Sequence, residues 1–194
     1  MEIFTLVTGL IYIFLEIKQK NLMWIVGVLT SAGAMWVFFR QGLYCSAALN
    51  TYYFFLSFWG LYQWRKASAR IAETDGTAAE ESVHLRHPGK MTLAISAVVT
   101  VAGTFGLAAL MELLENPMSY LDASVAVLSA VATWWLTRSY LEQWYLWIVA
   151  NILSTALCIS QGMWWMVALY SFYTLSAVYG YIYWKKKGQY IDEI

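Results

Sequence analysis

Apolar residues along this chain gather into long blocks with few alternating stretches. Seven blocks stand out: Ile3–Ile17, Leu22–Phe39, Tyr44–Trp64, Met91–Leu114, Tyr120–Thr137, Trp144–Ile159 and Met163–Trp184. Most approach the roughly 20 apolar residues a helix needs to cross the hydrocarbon of a bilayer. A helix also pairs its own backbone N–H and C=O groups, which lipid cannot do. The pattern therefore predicts an all-α integral membrane protein of seven transmembrane helices. The first block is short, so its ends belong at headgroup level. Brief polar breaks at Lys18–Asn21, Arg40–Gly42, Glu115–Pro117 and Gln161–Gly162 make successive helices antiparallel neighbours. The one long break, Arg65 to Lys90, carries Glu73, Asp75, Glu80, Glu81, His84 and His87 and reads as a flexible linker.

Composition narrows the class. The 194 residues are 60% hydrophobic, 18% aromatic and only 12% charged, a mixture that water cannot cover. One membrane domain, 1–194, uses the whole length. The first block lacks a basic flank and a small-residue cleavage site, so it counts as a span and not as a signal peptide. Net charge is zero, which offers nothing to a nucleic acid and leaves the lipid bilayer as the large partner. The distribution of charge says more than its sum. Lys18, Lys20, Arg65, Lys66, Arg70, Arg86, Lys90, Arg138 and Lys185–Lys187 fall on one face of the alternating helices, and Arg40 alone on the other. The positive-inside rule then places the N-terminus outside, and the linker and C-terminus in the cytoplasm, of the cell inner membrane.

A duplication organises the chain. Shifting the sequence by 120 residues brings Trp24 onto Trp144, Gln41 onto Gln161 and Gly42 onto Gly162. It also brings Ala48 onto Ala168, Leu49 onto Leu169, Tyr53 onto Tyr173, Gly60 onto Gly180, Trp64 onto Trp184 and Lys66 onto Lys186. Three helices per repeat would invert the second copy unless a connector intervened. The expectation is a 3+1+3 parallel repeat: 1–66 as the first three-helix repeat, 67–90 a cytoplasmic linker, 91–114 the connector and 119–187 the second repeat. Repeats of this kind flank a path for a solute.

Candidate chemistry concentrates on helix faces. Trp144, Trp147, Asn151, Ser154 and Cys158 recur at spacings of three and four, so they share one face. An Asn amide facing lipid would lack hydrogen-bond partners, so this face should meet a cavity or another helix. Two indoles and an amide suit a flat heterocycle; an interfacial aromatic belt with Asn151 bonded to a neighbouring helix is the plainer alternative. Asn50 and Tyr53, with Ser57, Gly60 and Trp64, mark a face of the third helix. Tyr170 and Tyr173, with Ala177, Gly180 and Trp184, mark one on the seventh. Trp24, 120 residues before Trp144, completes the set of candidate substrate contacts. Gln41 and Gln161 read as turn residues, and Ser119 to Asp122 as a capping box. Glu16 reads as an acid reaching the interface beside Lys18, or a lure for a cationic solute. Cys45 and Cys158 read as small buried residues. No catalytic constellation, cofactor motif or metal-ligand spacing is visible, His84 and His87 included, so neither an enzyme, a cofactor nor a metal is expected.

The segments WIVGVLTSAGAMWVFFRQGLY, GLYQW, YLDA, WYLWIVANILS and YGYIYW resemble the PnuC family of bacterial vitamin transporters, over nearly the whole chain except the linker. The resemblance implies seven helices in a 3+1+3 order related to the SWEET sugar transporters, assembled as a homotrimer. It implies facilitated diffusion of a vitamin, trapped inside by phosphorylation. Nicotinamide riboside leads as substrate, with thiamine or riboflavin as alternatives in the same family. A membrane sensor or assembly subunit is the reading outside transport.

Overall fold

The computed structural model describes the backbone of residues 2–42, 44–75, 83–114 and 120–191, and the side chains of 9–42, 47–70, 83–114 and 120–191. Ser119, half of the expected cap, and the Cys45 side chain lie outside the described residues. Within them the chain forms seven helices: α1 Glu2–Ile17, α2 Leu22–Arg40, α3 Tyr44–Asp75, α4 Lys90–Leu113, α5 Tyr120–Thr137, α6 Gln143–Ser160 and α7 Trp164–Lys187. Two short strands, β1 Val83–Leu85 and β2 Gly188–Tyr190, complete the order, β1 before α4 and β2 directly after α7. By length and composition α2, α4, α5 and α6 can each cross a membrane. The 16 residues of α1 rise only about 24 Å. α3 has the opposite character, because its helix continues past Trp64 through a polar stretch to Asp75.

Exposure is inverted relative to a water-soluble protein. Leu29 and Leu175 are each 69% exposed and Val98 66%, while the helix interiors hold serines and threonines. Those hydroxyls are satisfied by their own helices: Ser57 Oγ donates to Tyr53 O at 2.8 Å, Thr104 Oγ1 to Thr100 O at 2.8 Å and Ser154 Oγ to Ala150 O at 2.9 Å. A hydroxyl bonded within its own turn presents no unpaired dipole to hydrocarbon. This is a multi-pass membrane protein.

The chain divides into two compact units. The first comprises Met1–Arg86, Leu136–Leu141 and Ile182–Ile194. In it α2 packs along α3 and against α1, and the approach is close because α3 lacks a side chain where α2 needs room. A Cβ at Gly60 would stand 2.5 Å from the Trp24 indole. Trp24 in turn meets Trp64 edge-on with centroids 5.0 Å apart, and Trp64 meets Trp184 at 6.3 Å. All three indoles are fully buried. Two of them also cap helices. Trp64 Nε1 donates to Leu136 O and Trp184 Nε1 to Ile17 O, both at 3.0 Å, which occupies carbonyls in the last turns of α5 and α1 that have no partner within their helices.

The segment expected to be a flexible linker is in part tightly docked. β1 pairs in parallel with β2, Val83 opposite Gly188 and Leu85 opposite Tyr190. Val83, His84 and Leu85 are all buried. The Gln19 side chain grips the strand at two points: its Nε2 donates to His84 O at 3.0 Å and its Oε1 accepts from His84 N at 2.7 Å. Arg86 N donates to Ser139 O at 3.2 Å. Gln19 and Ser139 both follow a helix with positive φ, 49° and 59°. Glycine would sit there with less strain. At position 19 the side chain is needed for the strand, which accounts for its presence.

The second unit comprises His87–Trp135 and Glu142–Tyr181. α4 buries one stripe, Ser96, Thr104, Ala108 and Met111; Trp135 Nε1 donates to Ser96 Oγ at 2.9 Å. Gly103 admits Val127 of α5. Between α6 and α7 an indole again lies on a glycine, Trp144 on Gly180. Gln161 and Gly162 form the expected turn. Gly162 takes φ 69°, and Met163 N reaches back to Cys158 O at 2.9 Å, closing α6 with a Schellman motif. Gln41 and Gly42, φ 74°, end α2 in the same left-handed way.

Two outcomes follow from this packing. Gly60→Ala and Gly180→Ala each drive a methyl into a rigid indole and should each lower stability by about 1–3 kcal/mol, read as a fall in the melting temperature of the detergent-purified protein. Wild-type melting in both would remove the glycine seats from the account of the fold. The second outcome concerns pH. Burial first and the Arg86 guanidinium second push the His84 imidazole down to about 3, whereas an undocked imidazole titrates near its ordinary value of about 6.5. The docked strand is therefore fully stable above pH about 6.5, and loses stability as pH falls from there toward about 3. Amide exchange at Val83–Arg86 should accelerate across that window relative to His84→Phe at the same pH. Equal protection in both proteins at pH 4.5 would sink the idea.

Candidate functional site

Five of the eight candidate contacts belong to the second unit. On α6, Trp144 and Asn151 are buried, Trp147 is half-buried, and Ser154 and Cys158 continue the same inward arc. On α7, Tyr170 and Tyr173 stand edge to face with centroids 6.1 Å apart, both half-buried. Cys158 lies close enough to interact electrostatically with Tyr170 on α7 and Asp122 on α5. The unit thus presents indole, phenol and amide groups from facing helices. None of these three kinds of group carries a permanent charge, so what they offer is ring faces for stacking and amide and hydroxyl groups for hydrogen bonds.

Three candidates belong to the first unit. Trp24 is completely buried on Gly60. Asn50 and Tyr53 are half-buried on α3, and Tyr53 tilts against Tyr52 at 5.7 Å. Trp24 and Trp144 both carry a packing task as indoles seated on glycines. Glu16 does not reach out to an interface, being only 4% exposed. His84 is in the docked strand with its ring edge toward Trp64 at 5.7 Å, and His87 is exposed.

One residue on this face escaped the sequence analysis. Gln143, the first residue of α6, is fully buried, and neither its amide oxygen nor its amide nitrogen has a hydrogen-bond partner among the described residues. The indole nitrogen of Trp147, one turn further along, is likewise buried without a partner there. The signal was available: positions 143, 147 and 151 repeat at four, so Gln143 lies on the face already marked by Trp147 and Asn151.

The similarity to known proteins is broad. A family model described as nicotinamide mononucleotide transporter matches residues 1–186. The chain is 28% identical over 195 residues to a nicotinamide riboside transporter PnuC of Escherichia coli (strain K12), covering 92% of this chain and 82% of the relative. It is 29% identical over 199 residues to the nicotinamide riboside transporter PnuC of Neisseria mucosa, covering 93% and 70%. Among solved structures, a crystal structure of the vitamin B3 transporter PnuC superposes with a TM-score of 0.68 at 28% identity, over 93% of this chain and 78% of that one.

Proposed function

This chain belongs to the PnuC family of vitamin transporters, and on that premise we propose that it carries nicotinamide riboside across the bacterial inner membrane by facilitated diffusion. The observation that carries the choice of solute is the uncharged aromatic and amide face of α6. A pyridinium ring is flat and cationic, so it gains from stacking on indole, and its ribose hydroxyls suit an amide. The family description names the mononucleotide, while the curated relatives are named for the riboside. Absence of cationic side chains favours the riboside. No Lys or Arg occurs between positions 41 and 64, 91 and 137, or 139 and 184, whereas a phosphate dianion crossing an apolar bundle needs cationic partners. In the second unit the proposed contacts are Trp147, Asn151, Tyr170 and Tyr173; in the first unit, taken by itself, Asn50 and Tyr53 are the candidates on α3. Trp24 in the first unit and Trp144 in the second are the remaining candidates, each lying on the glycine of its own unit.

The proposal includes seven spans in a 3+1+3 order related to the SWEET transporters, with 1–66 and 119–187 as repeats around the connector. Paired local geometries 120 residues apart support it: Trp24 on Gly60 and Trp144 on Gly180, positive φ at Gln19 and Ser139, positive φ at Gly42 and Gly162. For orientation, the support is that the basic connections converge. The turn at Gln19, the strand at His84, the turn at Ser139 and β2 are joined by hydrogen bonds, as segments on one side of a membrane must be. With the basic side cytoplasmic, the N-terminus is outside. Homotrimeric assembly and trapping of the vitamin by cytoplasmic phosphorylation complete the reading.

Labelled nicotinamide riboside should equilibrate into proteoliposomes holding the purified protein and no kinase. In calorimetric titration, Trp147→Ala and Asn151→Ala should each weaken binding by about 1–3 kcal/mol, roughly five- to 150-fold in Kd. No uptake, or titrations indistinguishable from wild type, would defeat the reading.

A further inference from the structure

We infer that Gln143 is a specificity residue of the solute site, binding the carboxamide of the vitamin; this rests on the transport reading above. Its exposure is 0%, yet neither amide atom is hydrogen-bonded among the described residues. An amide left in that state is unfavourable, and the fold does not require one there. The residue 120 positions earlier, Met23, lies in the first turn of α2 and is also 0% exposed. At an equivalent place in its own helix the chain thus buries an apolar side chain of similar length. The difference between the two calls for something at position 143 that methionine cannot supply.

What an amide supplies is a donor and an acceptor side by side. The complementary partner is another primary amide, with which it forms two reciprocal hydrogen bonds. Nicotinamide riboside carries such a group on its ring. A riboside whose carboxamide is replaced by an acetyl group keeps the acceptor and loses the donors. Gln143, Trp147 and Asn151 follow one another at about 6 Å rise along α6. That sequence assigns the carboxamide to Gln143, the pyridine ring to Trp147, whose buried indole N–H also lacks a partner among the described residues, and the ribose to Asn151. Recognition by otherwise unpaired polar groups discriminates strongly, because a solute that lacks the matching group leaves them unsatisfied.

Calorimetric titration of the full-length protein with nicotinamide riboside and its 3-acetylpyridine counterpart tests the assignment. Wild type should prefer the carboxamide by roughly tenfold or more. Gln143→Met should abolish the preference by weakening the carboxamide compound alone, with the acetyl compound bound as before. Its melting temperature should be equal to or above that of wild type, as expected when an unpaired amide gives way to an apolar chain. A Gln143→Met protein that keeps the preference, or loses both ligands equally, overturns the inference and leaves the transport reading intact. Equal affinity of the wild type for the two ribosides overturns it without any variant. A wild type that binds neither removes the substrate reading and this inference together.

Discussion

Helices in a membrane gain nothing from water on bringing their apolar faces together, so contact has to come from close fit and from polar groups that find each other. In this protein the close fit is an indole plate against a glycine. Trp24 occupies the space that a Gly60 side chain would fill, and Trp144 does the same at Gly180. A tryptophan is rigid and large, so once seated it fixes the distance and rotation of two helices at one point. The opposite choice, two medium-sized side chains, would hold the helices further apart and leave them free to slide. Everything that depends on the registry of α2 with α3, or of α6 with α7, depends on those seats.

From the first seat a chain of contacts extends to the basic end of the bundle. Trp24 touches Trp64, Trp64 touches His84 and Trp184, and the indole nitrogens of Trp64 and Trp184 hold the terminal carbonyls of α5 and α1. The polar atoms of these aromatics thus do the capping that serines and glycines perform in soluble proteins. The strand at Val83–Leu85 adds a layer over them. It is held by backbone pairing with β2 and by Gln19, and burial together with the Arg86 guanidinium holds the His84 imidazole well below its ordinary range.

Much of this was legible from the order of residues. The seven apolar blocks became seven helices, Tyr120–Thr137 to the residue, because block length and hydrophobicity are set by the bilayer and are local properties. The Gln-Gly turns were legible for the same reason: a glycine after an apolar run marks a left-handed helix end. The continuation of α3 to Asp75 was missed. Its residues there are polar and good helix formers, and polarity was read as disorder when it marked only departure from the apolar layer. Docking of His84 was hidden because strand pairing joins residues about a hundred apart, and nothing in a run of three residues announces its partner. Trp24, Trp64 and Trp184 could be found by repetition, but which surface each would lie on could not, since a tryptophan that packs and one that binds a ring have the same composition and spacing.

That ambiguity bears on how a transport site is recognised at all. Aromatic residues are ordinary packing material inside a membrane, so an indole on an inner face is weak testimony to a ligand. Amides are different. Their burial is unfavourable wherever they lack partners, and apolar alternatives of the same size exist at every position. α6 and the positions 120 residues before it differ in this respect. Met23, Gly27 and Ser31 stand on α2 where Gln143, Trp147 and Asn151 stand on α6. Both helices place a tryptophan on a glycine and both end in Gln-Gly, so the packing task is met twice by the same means. Gln143 on α6 leaves both amide atoms without a partner among the described residues, where Met23 on α2 has no such atoms to satisfy. On the proposed reading, two copies of one helix pair have diverged, the second toward the solute and the first toward the simpler work of holding α3.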